Sequence, residues 1–430
     1  MWGNPCGFES HRPHNQENFK ELYPFYLFKV IMPKISKRAQ TFPRSPMRIF
    51  FPYDEAARKK GIKVYHLNIG QPDLEMPSLV YREIRNFKEK ILPYGRSQGE
   101  AEFIKAWQEY FKNYQIDFSQ DEIMITAGGS EAIIFSMIAV CDQGEEIIVF
   151  EPLYANYNSA ACLAGIKLKP ISCLVENGFR LPSKQEIENK ISSKTKAILI
   201  CNPNNPTGTV YTKAEIQMLV DLAKKHHLFI LSDEVYREFV YTGKKHQSIA
   251  YFPEIKNQAI LLDSVSKRFN ACGARIGCLC SKNEEVIKAA LKFTQARLSP
   301  PYLEQKILLP ILKNSKFYLK KVVNEYKKRR KVIVEVLSKI PGVEFKEPEG
   351  AFYIIAKLPV DDAEKFAKWL LTDFSYGRKT IMIAPGSGFY ATEGLGKKEI
   401  RIAWILNRKD LAAAMDILKR GLEEYRKLLK

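Results

Sequence analysis

No run of about 18 apolar residues occurs in this 430-residue sequence, so no segment reads as a membrane-spanning helix. The richest apolar stretch, 132–141, is too short, lies between Glu131 and Asp142, and reads as a buried helix. Cysteine is sparse and poorly spaced for a metal site or a disulfide framework. The eight fall at 6, 141, 162, 173, 201, 272, 278 and 280, with no C-x-x-C, and the six histidines lie at no metal spacing from them. Reduced thiols in a cytoplasmic protein without a metal are the expectation. Gly and Pro, 23 each, are near average, which excludes collagen-like and low-complexity chains. The 46% hydrophobic content excludes wholesale disorder.

Acidic residues are also short: 48 Asp and Glu face 67 Lys and Arg, a formal charge of +19. Such an excess suits either a phosphate-rich partner or a Lys-rich enzyme acting on small anions. Residues 1–31 contribute none of it, because Arg12, Lys20 and Lys29 balance Glu9, Glu17 and Glu21. That balance differs from an Arg-rich, acid-poor transit peptide. Residues 1–31 read as a dispensable extension, and a chain starting at Met32 is expected to fold and work. The roughly 60 residues before Gly70 show no helix-turn-helix pair and no aromatic-basic RNA motif, so no nucleic-acid partner is expected. The basic cluster 327–331 is expected on the solvated face of a helix.

After Met32 an arm punctuated by Pro33, Pro43 and Pro46 is expected to be extended or looped. Helical patterns over 54–60, 78–87, 99–114, 130–140 and 213–225 alternate with apolar runs at 64–69, 122–126, 146–150, 197–201, 228–232 and 259–263. This alternation predicts an α/β fold with one large, mostly parallel, doubly wound sheet. A long helix is predicted over 315–340. An α+β segment follows, with strands at 351–356, 380–384 and 399–405 and helices at 363–371 and the C-terminus.

Four segments carry chemistry. In Asp263-Ser264-Val265-Ser266-Lys267 a lysine follows an apolar strand between small hydroxyls, with Arg275 and Gly277 downstream. A lysine amine can form a Schiff base with an aldehyde. Alone, a lysine beside serines is commonplace. Gly128-Gly129-Ser130, after Thr126-Ala127, leads from a strand into a helix. It suits phosphate binding at a helix N-terminus, or is a plain turn. Asn202-Pro203-Asn204-Asn205-Pro206-Thr207-Gly208 taken alone is a turn. Asp233, in Ser232-Asp233-Glu234-Val235-Tyr236, sits at the C-terminal end of a strand, where α/β sheets place ligands; the plainer reading is a helix N-cap.

From about residue 35 onward these motifs together resemble the class I/II aminotransferases, fold type I enzymes that use pyridoxal 5′-phosphate. The lysine segment resembles the family's S-x-S-K-x(7)-R-x-G, and residues 202–208 resemble N-P-x-N-P-T-G. The resemblance implies Lys267, Asp233 and Tyr236 as catalytic residues. It implies cofactor binding by Gly128, Gly129, Ser130, Ser264 and Arg275 at the phosphate, by Asp233 at the pyridinium nitrogen and by Asn205 and Tyr236 at the phenolic oxygen. Tyr154 would stack on the ring, or be an ordinary loop aromatic. Tyr94 would reach the phosphate in a neighbouring subunit, which implies a homodimer with shared sites. Gly70, Asn205 and Arg401 would bind the substrate, Arg401 clamping its α-carboxylate; the plainer reading of Arg401 is a surface arginine on an edge strand. Gln71 stands where other members commonly have Glu. Arg297 lies in a region where some members bind a second carboxylate, although its spacing to Pro300 and Pro301 departs from theirs.

The implied organisation is an arm and small-domain segment over 32–62, a large cofactor domain over 63–310 and a small α+β domain over 311–430. The implied activity moves an amino group from an L-amino acid to a 2-oxo acid, with L-aspartate and 2-oxoglutarate as first candidates. The alternatives are a C–S lyase, an aminocyclopropane-carboxylate-synthase-like enzyme, an aromatic or alanine-type aminotransferase and, distantly, a nucleic-acid-binding regulator.

Overall fold

The first strand, β1 (Lys63–His66), pairs in parallel with a strand that comes after the main sheet in the chain. The computed structural model describes residues 33–429, so the expectation for 1–31 lies outside the described residues. Contacts divide the chain into a unit ending at Phe42 and a unit over Pro43–Lys430. The described part of the first departs from the expected extended or looped arm over five residues only. Lys37–Thr41 is a short helix, and Ser36 starts it by accepting from the Ala39 N–H at 3.1 Å. The prolines at 33, 43 and 46 fall outside that helix, so they do not oppose it.

The second unit holds a seven-stranded sheet of β2 (Ile123–Thr126), β3 (Glu146–Glu151), β4 (Lys167–Ser172), β5 (Thr195–Cys201), β6 (Phe229–Asp233), β7 (Ala259–Ser264) and β8 (Gly277–Ser281). Its order is β2-β8-β7-β6-β5-β3-β4, and every pairing except those of β8 is parallel. The expected mostly parallel doubly wound sheet is therefore present. Alternate residues of each central strand enter different hydrophobic cores. Ile147, Val149, Ala197 and Leu199 join one cluster, while Ile148, Phe150, Ile198 and Ile200 join the other. A strand with apolar side chains on both faces reads as a continuous apolar run, because helices cover both sides.

The remaining strands are β9 (Glu344–Phe345), β10 (Tyr353–Lys357), β11 (Lys379–Met382), β12 (Ala384–Pro385) and β13 (Glu399–Ala403). They give an antiparallel sheet β12-β13-β10-β9, and β11 is the parallel partner of β1. The predicted long helix is Lys316–Leu337. Its basic cluster is not wholly solvated, which corrects that expectation. Arg329 is buried and donates to Asp73 Oδ1 at 2.5 Å, to Glu325 Oε1 at 3.1 Å and to the Ile405 carbonyl. Arg330 turns to the Pro348 carbonyl and Glu347. A guanidinium carries five donors, so it can leave a helix surface to tie loops together where lysine would stay in water.

Two features bring the chemistry to one place. Parallel register sets Cys201 beside Asp233, and Asp233 beside Leu262, so the ends of β5, β6 and β7 lie side by side. Asn205 follows the first of these ends, Asp233 terminates the second, and Lys267 follows the third. Arg401 enters from β13, an interior strand that pairs it with both Ile355 and Ala384. The edge-strand reading of Arg401 therefore fails.

Candidate active site

At these strand ends lies a cavity of about 290 Å³. Helix Gly129–Val140 points its N-terminus at one end of it. Gly128 precedes that helix with φ +83° and ψ 171°, a conformation that only glycine adopts without strain. A Cβ there would also lie 2.3 Å from the Arg275 guanidinium, so Gly128 leaves room for that cation. Ser130, Ser264 and Arg275 line the same end. Ser264 Oγ lies 2.8 Å from Ser266 Oγ and donates to the Ile276 carbonyl at 2.8 Å. Backbone N–H groups, hydroxyls and a guanidinium form a donor set suited to a phosphate.

Asp233, buried in the sheet, lines the same cavity. Below it lies a set of buried ions in which the other carboxylates have guanidinium partners. Arg237 meets Glu234 and Asp263, each at 3.1 Å, and Arg268 meets Asp263 at 2.5 Å and Glu238 at 3.2 Å. His246, buried beside Arg237, is pushed down to about 3 and is neutral. Asp233 has no guanidinium among the described residues. It accepts from the Tyr157 hydroxyl at 2.9 Å and the Val235 N–H at 3.4 Å. Burial, helped by Asp263 and Glu234, raises its pKa to about 6 against the pull of these two donors. A buried carboxylate without a cation suits a cationic ring nitrogen.

The reactive and orienting groups line the cavity with them. Lys267 Nζ faces the cavity, donating to the Gly70 carbonyl at 2.8 Å and lying 3.9 Å from Cys272 Sγ. Burial lowers the Lys267 pKa, but Tyr353, Cys272 and Tyr154 raise it, and the sum lies above the ordinary lysine value. Tyr154 lines the cavity, its hydroxyl held by Asn156 at 2.8 Å and its ring edge-on to Tyr157. Asn205 joins two groups, donating to Tyr236 Oη at 3.4 Å and accepting from Arg401 Nη1 at 3.2 Å. Burial lifts the Tyr236 hydroxyl well above its usual pKa, so it is a neutral donor. Gly70 has no room for a side chain, because a Cβ would fall 1.7 Å from Tyr353 Oη.

Arg401 is 1% exposed. Its guanidinium lies between the rings of Tyr353, at 4.6 Å, and Phe389, at 4.7 Å, and donates to the Asn68 carbonyl. Its Nε has no partner. Burial lowers its pKa, and no carboxylate neutralises it among the described residues. A buried cation with an unpartnered N–H fits a ligand carboxylate.

The structure thus brings Gly70, Tyr154, Asn205, Asp233, Tyr236 and Lys267 to one cavity, with Arg401 and the phosphate-end residues. Tyr94 is not among the lining residues and is 81% exposed. Arg297 is also absent from the lining and is held by Glu131 Oε1 at 3.1 Å and the Ile125 carbonyl at 3.3 Å. It joins a helix to a strand.

Sequence reading missed three residues. Tyr157 holds Asp233, and its position three after Tyr154 at the start of helix Asn156–Ala164 was the available signal. Tyr353 lies 3.0 Å from Tyr236 Oη and packs on Arg401. Arg48 lines the cavity from a turn read only as part of the arm. The Tyr157→Phe protein is expected to lose about tenfold in kcat, the worth of one hydrogen bond to a charged group. Its cofactor binding should also weaken at a higher pH on acidification, because a donor to the ionised Asp233 is gone. Unchanged kcat and an unchanged pH profile of cofactor binding would show that the contact is inert.

The sequence pattern described as aminotransferase class I and II matches residues 62–418. The chain belongs to the class I and II aminotransferases. A probable aspartate/prephenate aminotransferase of Aquifex aeolicus is 30% identical, over 91% of this chain and 99% of that one. The crystal structure of Thermotoga maritima aspartate aminotransferase superposes with a TM-score of 0.82 at 32% identity, covering 90% of this chain and all of that one. Pyrococcus furiosus alanine aminotransferase gives 0.83 at 30% identity, covering 91% and 100%. This aminotransferase uses pyridoxal 5′-phosphate, and the phosphate-type donors and the unpaired carboxylate that line its cavity fit that group. Its substrates are amino acids and 2-oxo acids. No helix among the described residues is long and apolar enough to cross a membrane.

Proposed function

We propose that this aminotransferase takes L-aspartate as amino donor and 2-oxoglutarate as acceptor. The observation that carries this reading is the charge of the cavity. Arg48, Lys267, Arg275 and Arg401 line it against a single carboxylate, Asp233. The names of the relatives from Aquifex and Thermotoga support aspartate as donor. The test is a donor panel with 2-oxoglutarate as acceptor. Aspartate is expected to exceed alanine and phenylalanine in kcat/KM by at least about 30-fold, the worth of one charge-assisted pair. A panel led by alanine or phenylalanine would overturn it, as would release of pyruvate and ammonia from a cysteine conjugate without any need for an oxo acid.

In this reading Gly128, Gly129, Ser130, Ser264 and Arg275 hold the cofactor's phosphate. Asp233 pairs with its pyridinium nitrogen, Tyr154 stacks on its ring, and Asn205 and Tyr236 donate to its phenolic oxygen. When bound, pyridoxal phosphate supplies an aldehyde that condenses with amines and a ring that accepts electron density from the substrate's α-carbon. Lys267 Nζ would take the proton from that carbon and deliver it to the cofactor's aldehyde-derived carbon, as general base and then acid. Arg401 binds the α-carboxylate through its free N–H, with Gly70 beside it. Asn205 keeps Arg401 and Tyr236 in register, so carboxylate and ring are positioned by one amide.

The same reading makes the enzyme a cytoplasmic homodimer in which Tyr94 serves the site of a second copy. Its support is a run of exposed large side chains, Ile91 at 77%, Leu92 at 61% and Tyr94 at 81%, of the kind interfaces bury. A monomer by light scattering would exclude it. The cofactor domain over 63–310 and the small domain over 311–430, with its 32–62 segment, belong to this proposal as well.

A further inference from the structure

The cations of the cavity do not all have partners in the scheme above. Lys267 is the amine, Arg275 stands at the phosphate end and Arg401 is buried where a carboxylate would bind. Arg48 remains. It lines the same cavity, is exposed, and its side chain has no ion-pair or hydrogen-bond partner among the described residues.

The backbone that carries Arg48 is fixed beside Arg401. The Met47 carbonyl accepts from Asn68 Nδ2 at 2.8 Å, and Met47 Sδ lies 3.3 Å from Arg401 Nη2. Arg48 N–H donates to the Ser45 carbonyl at 3.1 Å, and the Arg48 carbonyl accepts from Phe51 N–H at 3.1 Å. Pro46 packs on Gly388 so closely that a Cβ there would fall 2.0 Å from the proline ring. The turn is therefore pinned at several points, while the side chain it presents is free to move. A substrate carboxylate held by Arg401 would leave its side chain to be read by whatever stands next along this wall.

We propose that Arg48 binds the side-chain carboxylate of a dicarboxylic substrate and so sets the preference of the enzyme for acidic amino and oxo acids. The assignment rests on the aspartate reading above. It gives the surplus cation a partner and assigns the two ends of the substrate to two arginines. Arg401, buried and held between rings, is rigid and common to all substrates. Arg48, exposed and flexible, engages only those with a second carboxylate. Arginine suits this role, since its planar fork donates two parallel hydrogen bonds to a carboxylate.

The test compares parent and Arg48→Ala holoenzymes. One readout is the ratio of kcat/KM for aspartate to that for alanine. The other is the binding of succinate and of propionate, two unreactive acids differing by one carboxylate. The ratio is expected to fall about 30- to 100-fold, and succinate affinity to fall by a similar factor relative to propionate, as for loss of one charge-assisted pair. Arg48→Lys should retain part of both. If aspartate is turned over by both proteins and the ratio stays within about threefold, Arg48 does not read the side chain, while the aspartate reading survives. If the parent turns over neither aspartate nor glutamate, the dicarboxylate reading fails and this assignment with it.

Discussion

Replacing Lys267 with alanine is expected to lower kcat for amino transfer by at least about 10⁴-fold, the upper range for loss of a positioned acid-base group. The cavity has no substitute. Its other basic groups, Arg48, Arg275 and Arg401, are guanidinium ions that do not give up a proton near neutral pH. The loaded protein should also lose the part of its visible absorbance that depends on the lysine. The fold should survive, because the Gly70 carbonyl that loses the Lys267 donor still faces Tyr353 Oη at 3.5 Å. An unchanged circular dichroism spectrum checks this. Cys272, 3.9 Å from the amine, is the competing proton carrier. If it did the work, Lys267→Ala would keep activity within about 100-fold of the parent, and Cys272→Ala would lose it. That result would remove Lys267 from the chemistry.

The central strands were legible because they are buried on both faces. The run at 197–201 fills positions that the structure places in two cores, and a sequence of that kind has few other fates. What was missed is instructive in the same terms. β4, Lys-Leu-Lys-Pro-Ile-Ser, is an edge strand, half exposed and interrupted by Pro170, so it lacks the apolar continuity of its neighbours. β8 begins at Gly277, inside the lysine motif, and its Gly-Cys-Leu-Cys-Ser run carries little β-branched signal. Its two edges are paired by β7 and by β2, and β2 is remote in sequence.

The site was legible wherever a short motif held its own residues together. The turns at 128–130, 202–208 and 263–267 are each local, and Lys267, Asn205 and Asp233 meet because parallel register aligns strand ends. Residues that matter through distant contacts left no such trace. Arg329 reads as one of five consecutive basic residues, yet it fixes Asp73 across 256 positions of sequence. Arg297 has the chemistry to bind a carboxylate, but Glu131 already occupies it. Composition could not separate these fates, because a guanidinium in water, in a core and at a substrate differ only in what folds against them.

Asp233→Asn should separate stability from function. Activity is expected to fall about 10³-fold, as the buried carboxylate facing the ring nitrogen is neutralised. The cofactor-free protein should at the same time become more stable at neutral pH. In the cofactor-free fold Asp233 has a pKa of about 6 against an ordinary value of 3.8. The difference, at about 1.4 kcal/mol per unit, is about 3 kcal/mol. The sign follows from proton binding. Between pH 4 and 6 the folded state holds this proton more tightly than the unfolded chain, so stability falls as pH rises through that window and stays reduced above it. Asparagine cannot ionise and still accepts from Tyr157, so the variant escapes that loss. The melting temperature of the cofactor-free variant should exceed that of the parent by about 3 °C at pH 7. The gap should shrink towards pH 4. Saturating cofactor should reverse the order, since only the parent gains an ion pair on binding. If the cofactor-free variant is instead less stable at pH 7, Asp233 is already satisfied by its protein neighbours and is not a carboxylate kept unpaired for the ring.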